Sequence, residues 1–179
     1  MNEKPHLYGL MANFNSPEDL VKATERAYGA GYRKMDGYSP MPIEGLAEAL
    51  GFTRTGLPAL VLLGGLLGGL AGYLLQYYTA VIDYPLNVGG RPFHSWPAFI
   101  PVTFEMTILA AAGAAVFGML ALNGLPMPYH PVFNVESFKL ATRDQFFLCI
   151  ESVDAQFDLV ETRRFLEGLN PVEVSEVEP

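Results

Sequence analysis

The sequence predicts an α+β membrane protein in which a two-helix transmembrane hairpin interrupts a cytoplasmic domain. Three observations carry this expectation. Two apolar runs have the length of a bilayer crossing, each end of the chain has a strand–helix–strand pattern, and the basic residues favour the two ends over the stretch between the runs. Half of the residues are hydrophobic and only 17% are charged, a low charge share for a domain that faces water on all sides. The net charge of −8 leaves no clustered excess of Lys and Arg to neutralise phosphates, which argues against nucleic acid as a partner.

The elements follow in order. Residues 1–5 are polar and carry neither a signal-peptide pattern nor a lipidation signature. Residues 6–14 (HLYGLMANF) form a nearly continuous apolar run of strand length. Ser16 then caps a helix with Pro17 at its first position and Glu18 and Asp19 in the positive first turn. Leu20, Val21, Ala27 and Tyr28 give that helix an apolar side, and Gly29 and Gly31 end it. A polar strand over 33–39 and a short helix over 43–50 complete the first part.

Residues 57–78 (LPALVLLGGLLGGLAGYLLQYY) contain no charge, and at about 1.5 Å per residue they cross the ~30 Å hydrocarbon layer. A helix apolar around its whole circumference for this length belongs in a membrane. Residues 98–122 form the second span, with Glu105 as its one charge. Tyr73, Tyr77, Tyr78, Tyr84, Phe93 and Trp96 gather near the connecting loop, 79–97, as an interfacial belt. Six Lys or Arg residues precede the first span and four follow the second, against Arg91 alone in the loop, which makes the chain a multi-pass membrane protein with both termini in the cytoplasm. Gly64, Gly68 and Gly72, Gly65 and Gly69, and Ala110, Ala114 and Gly118 form small-residue stripes that pack the two helices together or against a partner.

Beyond the second span the first order recurs. Residues 145–151 (QFFLCIE) form an apolar strand. Asp158 with Glu161 caps a helix carrying Leu159, Phe165, Leu166 and Leu169, which Gly168 and Pro171 stop. Val172, Val174 and Val177 alternate with charges in a half-exposed strand. Continuously apolar strands belong at the centre of a sheet, and in each half the first strand is the apolar one. This is the arrangement of a ferredoxin-like domain. The expected organisation is therefore 1–56 as its first half, 57–122 as the hairpin and 123–179 as its second half with an acidic tail. Two separate units would each be too small to bury an adequate core.

Few residues carry chemistry. The lone Cys149 has no cysteine or histidine spacing around it that would hold zinc, haem or an iron–sulfur cluster, so no metal or cofactor site is expected in this chain. In an apolar strand it reads as a small core residue. Glu105 lies about seven residues, roughly 10 Å, in from the loop side of its span. An intramembrane carboxylate is a functional candidate by default. Thr103, Leu109, Ala112 and Gly113 are its expected helical neighbours and the first span offers no cation, so Glu105 either stays protonated, as a proton relay, or pairs with another subunit. Asp83, Arg91, His94 and Trp96 read as interfacial residues, with contact to a quinone headgroup as the sharper alternative. His130, between Tyr129 and Pro131, is expected to order the entry to the second half, and His6 stands at a strand start without a ligand partner.

Several stretches in fixed order resemble one known family: LYGLMANF, GYRKMDGYSPMPIEGLAEALG, the glycine-rich first span, GGRPFHSWPAFIPVTFE, and LPMPYHPVFNVESFKLATRDQFFLCIE. The chain resembles, over about residues 7–166, the D subunit (ActD) of bacterial alternative complex III, which oxidises quinol and passes electrons to c-type cytochromes or to an oxidase. The resemblance implies membership of that complex, in which the leading reading of this chain is a non-catalytic subunit supporting assembly or stability, with proton handling at Glu105 as a further role. It also implies haem c, iron–sulfur clusters and quinol in partner subunits, and contacts with other membrane and peripheral subunits, a terminal oxidase and the lipid bilayer. It assigns no catalytic residue here. The alternative, from the residues alone, is a small membrane adaptor or transporter accessory whose sheet binds a soluble partner.

Overall fold

A computed structural model describes residues 7–179; His6 lies outside the described residues. In chain order the elements are β1 (Gly9–Phe14), α1 (Pro17–Ala30), β2 (Met35–Tyr38), α2 (Leu46–Ala49), α3 (Leu57–Tyr77), α4 (Trp96–Leu122), β3 (Phe146–Glu151), α5 (Leu159–Glu167) and β4 (Glu173–Val177). They form two compact units, one from the chain up to Thr53 together with residues 128–179, the other from residues 54–127.

In the first unit the strands make one four-stranded antiparallel sheet in the order β2-β3-β1-β4. The two continuously apolar strands are the central neighbours, with Leu10 opposite Ile150, Met11 opposite Cys149 and Ala12 opposite Leu148. Leu10, Ala12, Phe14, Phe146, Leu148 and Ile150 share one face, buried under Leu20, Ala23 and Ala27 of α1 and Leu166 of α5. Met11, Phe147, Cys149 and Val177 share the other face, which Val132, Val135, Phe138 and Ala141 cover. Those four come from two 3-10 helices, Pro131–Asn134 and Glu136–Thr142, in a stretch where the sequence predicts no element. Both faces being covered is the reason β1 and β3 are apolar at nearly every position instead of alternating. Burying each large aliphatic side chain there contributes about 1.5–3 kcal/mol.

The helix caps follow the sequence closely. Ser16 Oγ accepts from the Asp19 amide at 3.1 Å, and Gly31 takes the left-handed φ of 106° that ends α1. Asp158 Oδ1 accepts from the amides of Val160 and Glu161, both at 3.0 Å. The reciprocal bond differs from the expected one: Thr162 Oγ1, not Glu161, accepts from the Asp158 amide at 3.2 Å. Thr162 lies on the buried side of α5, so its hydroxyl is held against the helix start while Glu161 points to solvent.

In the second unit α3 and α4 are long and apolar enough to cross a membrane. The first helix runs past its expected end, because Tyr78–Asp83 continues as a π-helical turn. Thr79 supports it, its carbonyl accepting from the Tyr84 amide at 2.9 Å and its hydroxyl donating to Leu75 O at 3.0 Å. The second helix begins at Trp96, not at 98, since Pro97 suits a first turn that needs no N–H. The small-residue stripes face each other. A Cβ on Gly72 would stand 2.8 Å from Met106 Cβ, and one on Gly68 would meet Met106 O at 2.6 Å and overlap Ala110 Cβ. Gly118 in turn receives Leu60 and Leu57 from α3. Only residues without a side chain permit backbones this close.

Candidate functional site

The polar groups of the helix pair divide into those that face inward and one that does not. Gln76 Nε2 donates to Gly72 O at 3.1 Å, to Phe99 O at 3.1 Å and to Thr103 Oγ1 at 3.3 Å. One amide thus ties α3 to α4 across the contact. Thr107 Oγ1 donates to Thr103 O at 2.8 Å, which satisfies a second hydroxyl inside the helix. Thr103 is therefore turned toward α3, away from Glu105, in contrast to the neighbourhood expected from the sequence. Glu105 itself is exposed and makes no hydrogen bond or ion pair among the described residues.

Near the loop His94 gathers aromatic neighbours. Tyr73 Oη and His94 Nε2 are 2.7 Å apart, and the Tyr77 ring meets the imidazole edge-on with centroids 5.2 Å apart. Phe99, only 2% exposed, closes the cluster at 6.0 Å from the imidazole. Trp96 borders a separate groove of about 320 Å³ with Tyr73, Ile100, Thr103, Phe104 and Thr107. Asp83 and Arg91 are exposed, and their side chains join neither His94 nor each other by a hydrogen bond or ion pair. Of the four loop residues singled out in the sequence, His94 and Trp96 thus pack beside Tyr73 while the two charged ones stand apart.

In the sheet unit a buried thiol and two phenols are held neutral. Cys149 is 1% exposed, and burial, reinforced by the Asp36 and Glu151 carboxylates, pushes its thiol up to about 12. A thiol so placed is a poor nucleophile. Burial also raises the Tyr8 and Tyr38 phenols well above their ordinary range, with carboxylates adding to the effect. Tyr8 Oη lies 3.3 Å from His130 Nε2 and donates to Glu151 Oε1 at 3.4 Å. His130 Nδ1 accepts from the Val132 amide at 3.4 Å, which leaves the proton on Nε2 to donate to Tyr8. His130 thereby fixes the start of the segment that covers the second sheet face.

The most thoroughly bonded carboxylate is one that the sequence did not single out. Asp154 Oδ2 accepts from the amides of Arg33 and Lys34, both at 2.7 Å, and Oδ1 from that of Gln156 at 2.8 Å. Burial alone would raise its pKa, but the three backbone donors and the nearby Arg33 charge outweigh burial and hold the carboxyl below its usual range. Asp154 fastens the α1–β2 connection to the loop after β3. Gln76 is the other residue missed; its signal was that it is the one amide in the first apolar run. Among the described residues no group of three or more His, Cys, Asp or Glu side chains is arranged to hold a metal ion.

Comparison with known proteins adds what this geometry does not. No curated protein matches the chain. A family model described as "Alternative complex III, ActD subunit" matches residues 8–176, from the first strand of the sheet through both apolar helices to the last strand. The chain therefore belongs to the ActD subunit family of alternative complex III, a respiratory complex.

Proposed function

We propose that this chain is a non-catalytic membrane subunit that supports the assembly and stability of alternative complex III, with haem c, iron–sulfur clusters and the quinol site in partner subunits. Family membership across both units carries the reading. It is supported by the helix pair, whose glycines other than Gly113 are taken up in close mutual packing, and by a sheet unit whose thiol and phenols are held protonated. In this reading α3 and α4 cross the bacterial inner membrane as a hairpin between the halves, 1–56 and 123–179, of a ferredoxin-like cytoplasmic domain. The strand order β2-β3-β1-β4 with α1 and α5 on one face supports that fold. The six and four basic residues outside the hairpin against one in its loop support cytoplasmic termini. Other membrane and peripheral subunits and a terminal oxidase are the partners.

The test is co-purification. Gentle detergent extraction of the affinity-tagged chain should bring c-type haem with it, and deletion of the chain should lower the recovery of intact haem-containing complex. The chain purified alone should show no visible absorbance band and oxidise no quinol. A stoichiometric chromophore on the isolated chain, or a tagged chain that never brings haem with it, would overturn the proposal. A second reading, proton handling at Glu105, is favoured by its being the one carboxylate within α3 and α4. Under that reading Glu105→Gln leaves the complex assembled and lowers quinol turnover or its coupling to proton movement.

A further inference from the structure

Glu105 lies on the side of α4 where nothing in this chain can satisfy it. The face of α4 that meets α3 is built from Thr103, Met106, Thr107, Ala110, Ala114 and Gly118. At about 100° per residue Glu105 projects roughly 180° from the centre of that face, and it is exposed. It stands about 13 Å from the Trp96 end of α4 and about 6 Å from the helix midpoint, at 1.5 Å per residue. A side chain of two methylenes does not reach a bilayer surface from that depth. Along its own stripe the neighbours are Ala98, Pro101, Ile108, Leu109 and Ala112, none with a side-chain donor. A carboxylate left there facing lipid is costly.

An independent observation marks the edge of that outer surface, about 80° around α4 from Glu105. A Cβ on Gly64, Gly65, Gly68, Gly69, Gly72 or Gly118 would meet an atom of the opposite helix, whereas one on Gly113 would find nothing within 4 Å. The helix pair has no use for Gly113. It lies two turns beyond Glu105, next to Ala112, where the absence of side chain leaves α4 open to the backbone of another helix.

We propose that this surface of α4 seats a transmembrane helix of another subunit, which crosses over Ala112 and Gly113 and presents a Lys, Arg or His side chain to Glu105. The proposal rests on the reading of the chain as an assembly subunit and names the chemistry of its partner. Charge complementarity selects the occupant. A second copy of this chain would bring two carboxylates together in a medium of low dielectric. A neutral donor would leave the negative charge uncompensated, whereas a cation neutralises it and supplies the hydrogen bond.

The experiment uses the whole complex in native membranes. With Cys149→Ser to remove the native thiol, Ala112→Cys is labelled with a photoactivated maleimide crosslinker, and the expected product is one adduct of defined mass with another subunit. Adducts with lipid alone overturn the proposal, and so does an adduct with a second copy of this chain. In parallel, Glu105→Leu and Glu105→Gln should each lower recovery of the complex roughly three- to fifteen-fold, the range of an interhelical polar contact. Both should leave the isolated chain's thermal transition, read from Trp96 fluorescence, unmoved. If Gln restores recovery and Leu does not, a neutral donor occupies the site and the cationic partner is wrong. If Gln assembles normally with lowered turnover, proton handling replaces pairing. A tagged wild-type chain that brings no haem sinks the assembly reading itself, an outcome separate from all of these.

Discussion

Asp154→Ala removes the acceptor on which three backbone amides converge at 2.7–2.8 Å in a residue that is only 7% exposed. A hydrogen bond to a charged group contributes about 1.5–3 kcal/mol, and an unsatisfied buried donor costs a similar amount. The three amides lie at a partly buried turn where water takes over some of the lost bonding, so we expect a loss of about 3–4 kcal/mol, out of a total stability of about 5–15. Cys149 reports this directly. It is the only cysteine, it is buried against the opposite sheet face, and its thiol, pushed up to about 12, reacts only when the sheet opens. At pH 8 in detergent, Asp154→Ala should raise the rate of thiol labelling about 100- to 1000-fold, tenfold for each 1.4 kcal/mol. A rate within about threefold of wild type would refute the reasoning, because water would then replace all three amide contacts without cost. The pH dependence carries its own sign. The folded carboxyl is held below its usual range, so the unfolded chain binds the proton more tightly. The stabilisation is present above about pH 5 and is lost as pH falls through the folded value. Wild type and Asp154→Asn should therefore differ at neutral pH and converge in acid.

Gly68→Val should force α3 and α4 apart, since its Cβ would meet Met106 O at 2.6 Å and overlap Ala110 Cβ. The expected loss is about 1–3 kcal/mol, seen as a lower thermal transition by Trp96 fluorescence, while Gly113→Val, which has open space, leaves that transition in place. Met11→Cys should form a disulfide with Cys149 when the extracted protein is oxidised, because the two are direct partners across β1 and β3 and point to the same sheet face. Failure to close would contradict the antiparallel central pairing, since facing strand positions lie within disulfide reach. Reporter fusions at either terminus should show cytoplasmic activity and one at Gly89 the opposite side; a carboxyl terminus outside the cytoplasm would remove the hairpin topology.

Much of this chain was legible without its structure, and the legible parts share a cause: they depend on neighbours close in sequence. Ser16 with Pro17, and Asp158 ahead of α5, announce helix starts because capping bonds reach only three or four residues. The apolar runs announce α3 and α4 because length and the absence of charge are local properties. The apolar character of β1 and β3 also forecast their place at the sheet centre. What covers the second face was not legible, because the 3-10 helices from Pro131 to Thr142 have no sustained period, and their apolar residues acquire meaning only against Met11, Phe147 and Cys149. Asp154 looked like an ordinary loop acid, since two of its donors, the amides of Arg33 and Lys34, come from 121 and 120 residues away. The sequence also singled out Glu105 but left its side of the helix open. A helix apolar all round has no polar face to fix its rotation, so only the packing of glycines against Ala110, Ala114 and Met106 decided that Gln76 and Thr103 turn inward and Glu105 outward.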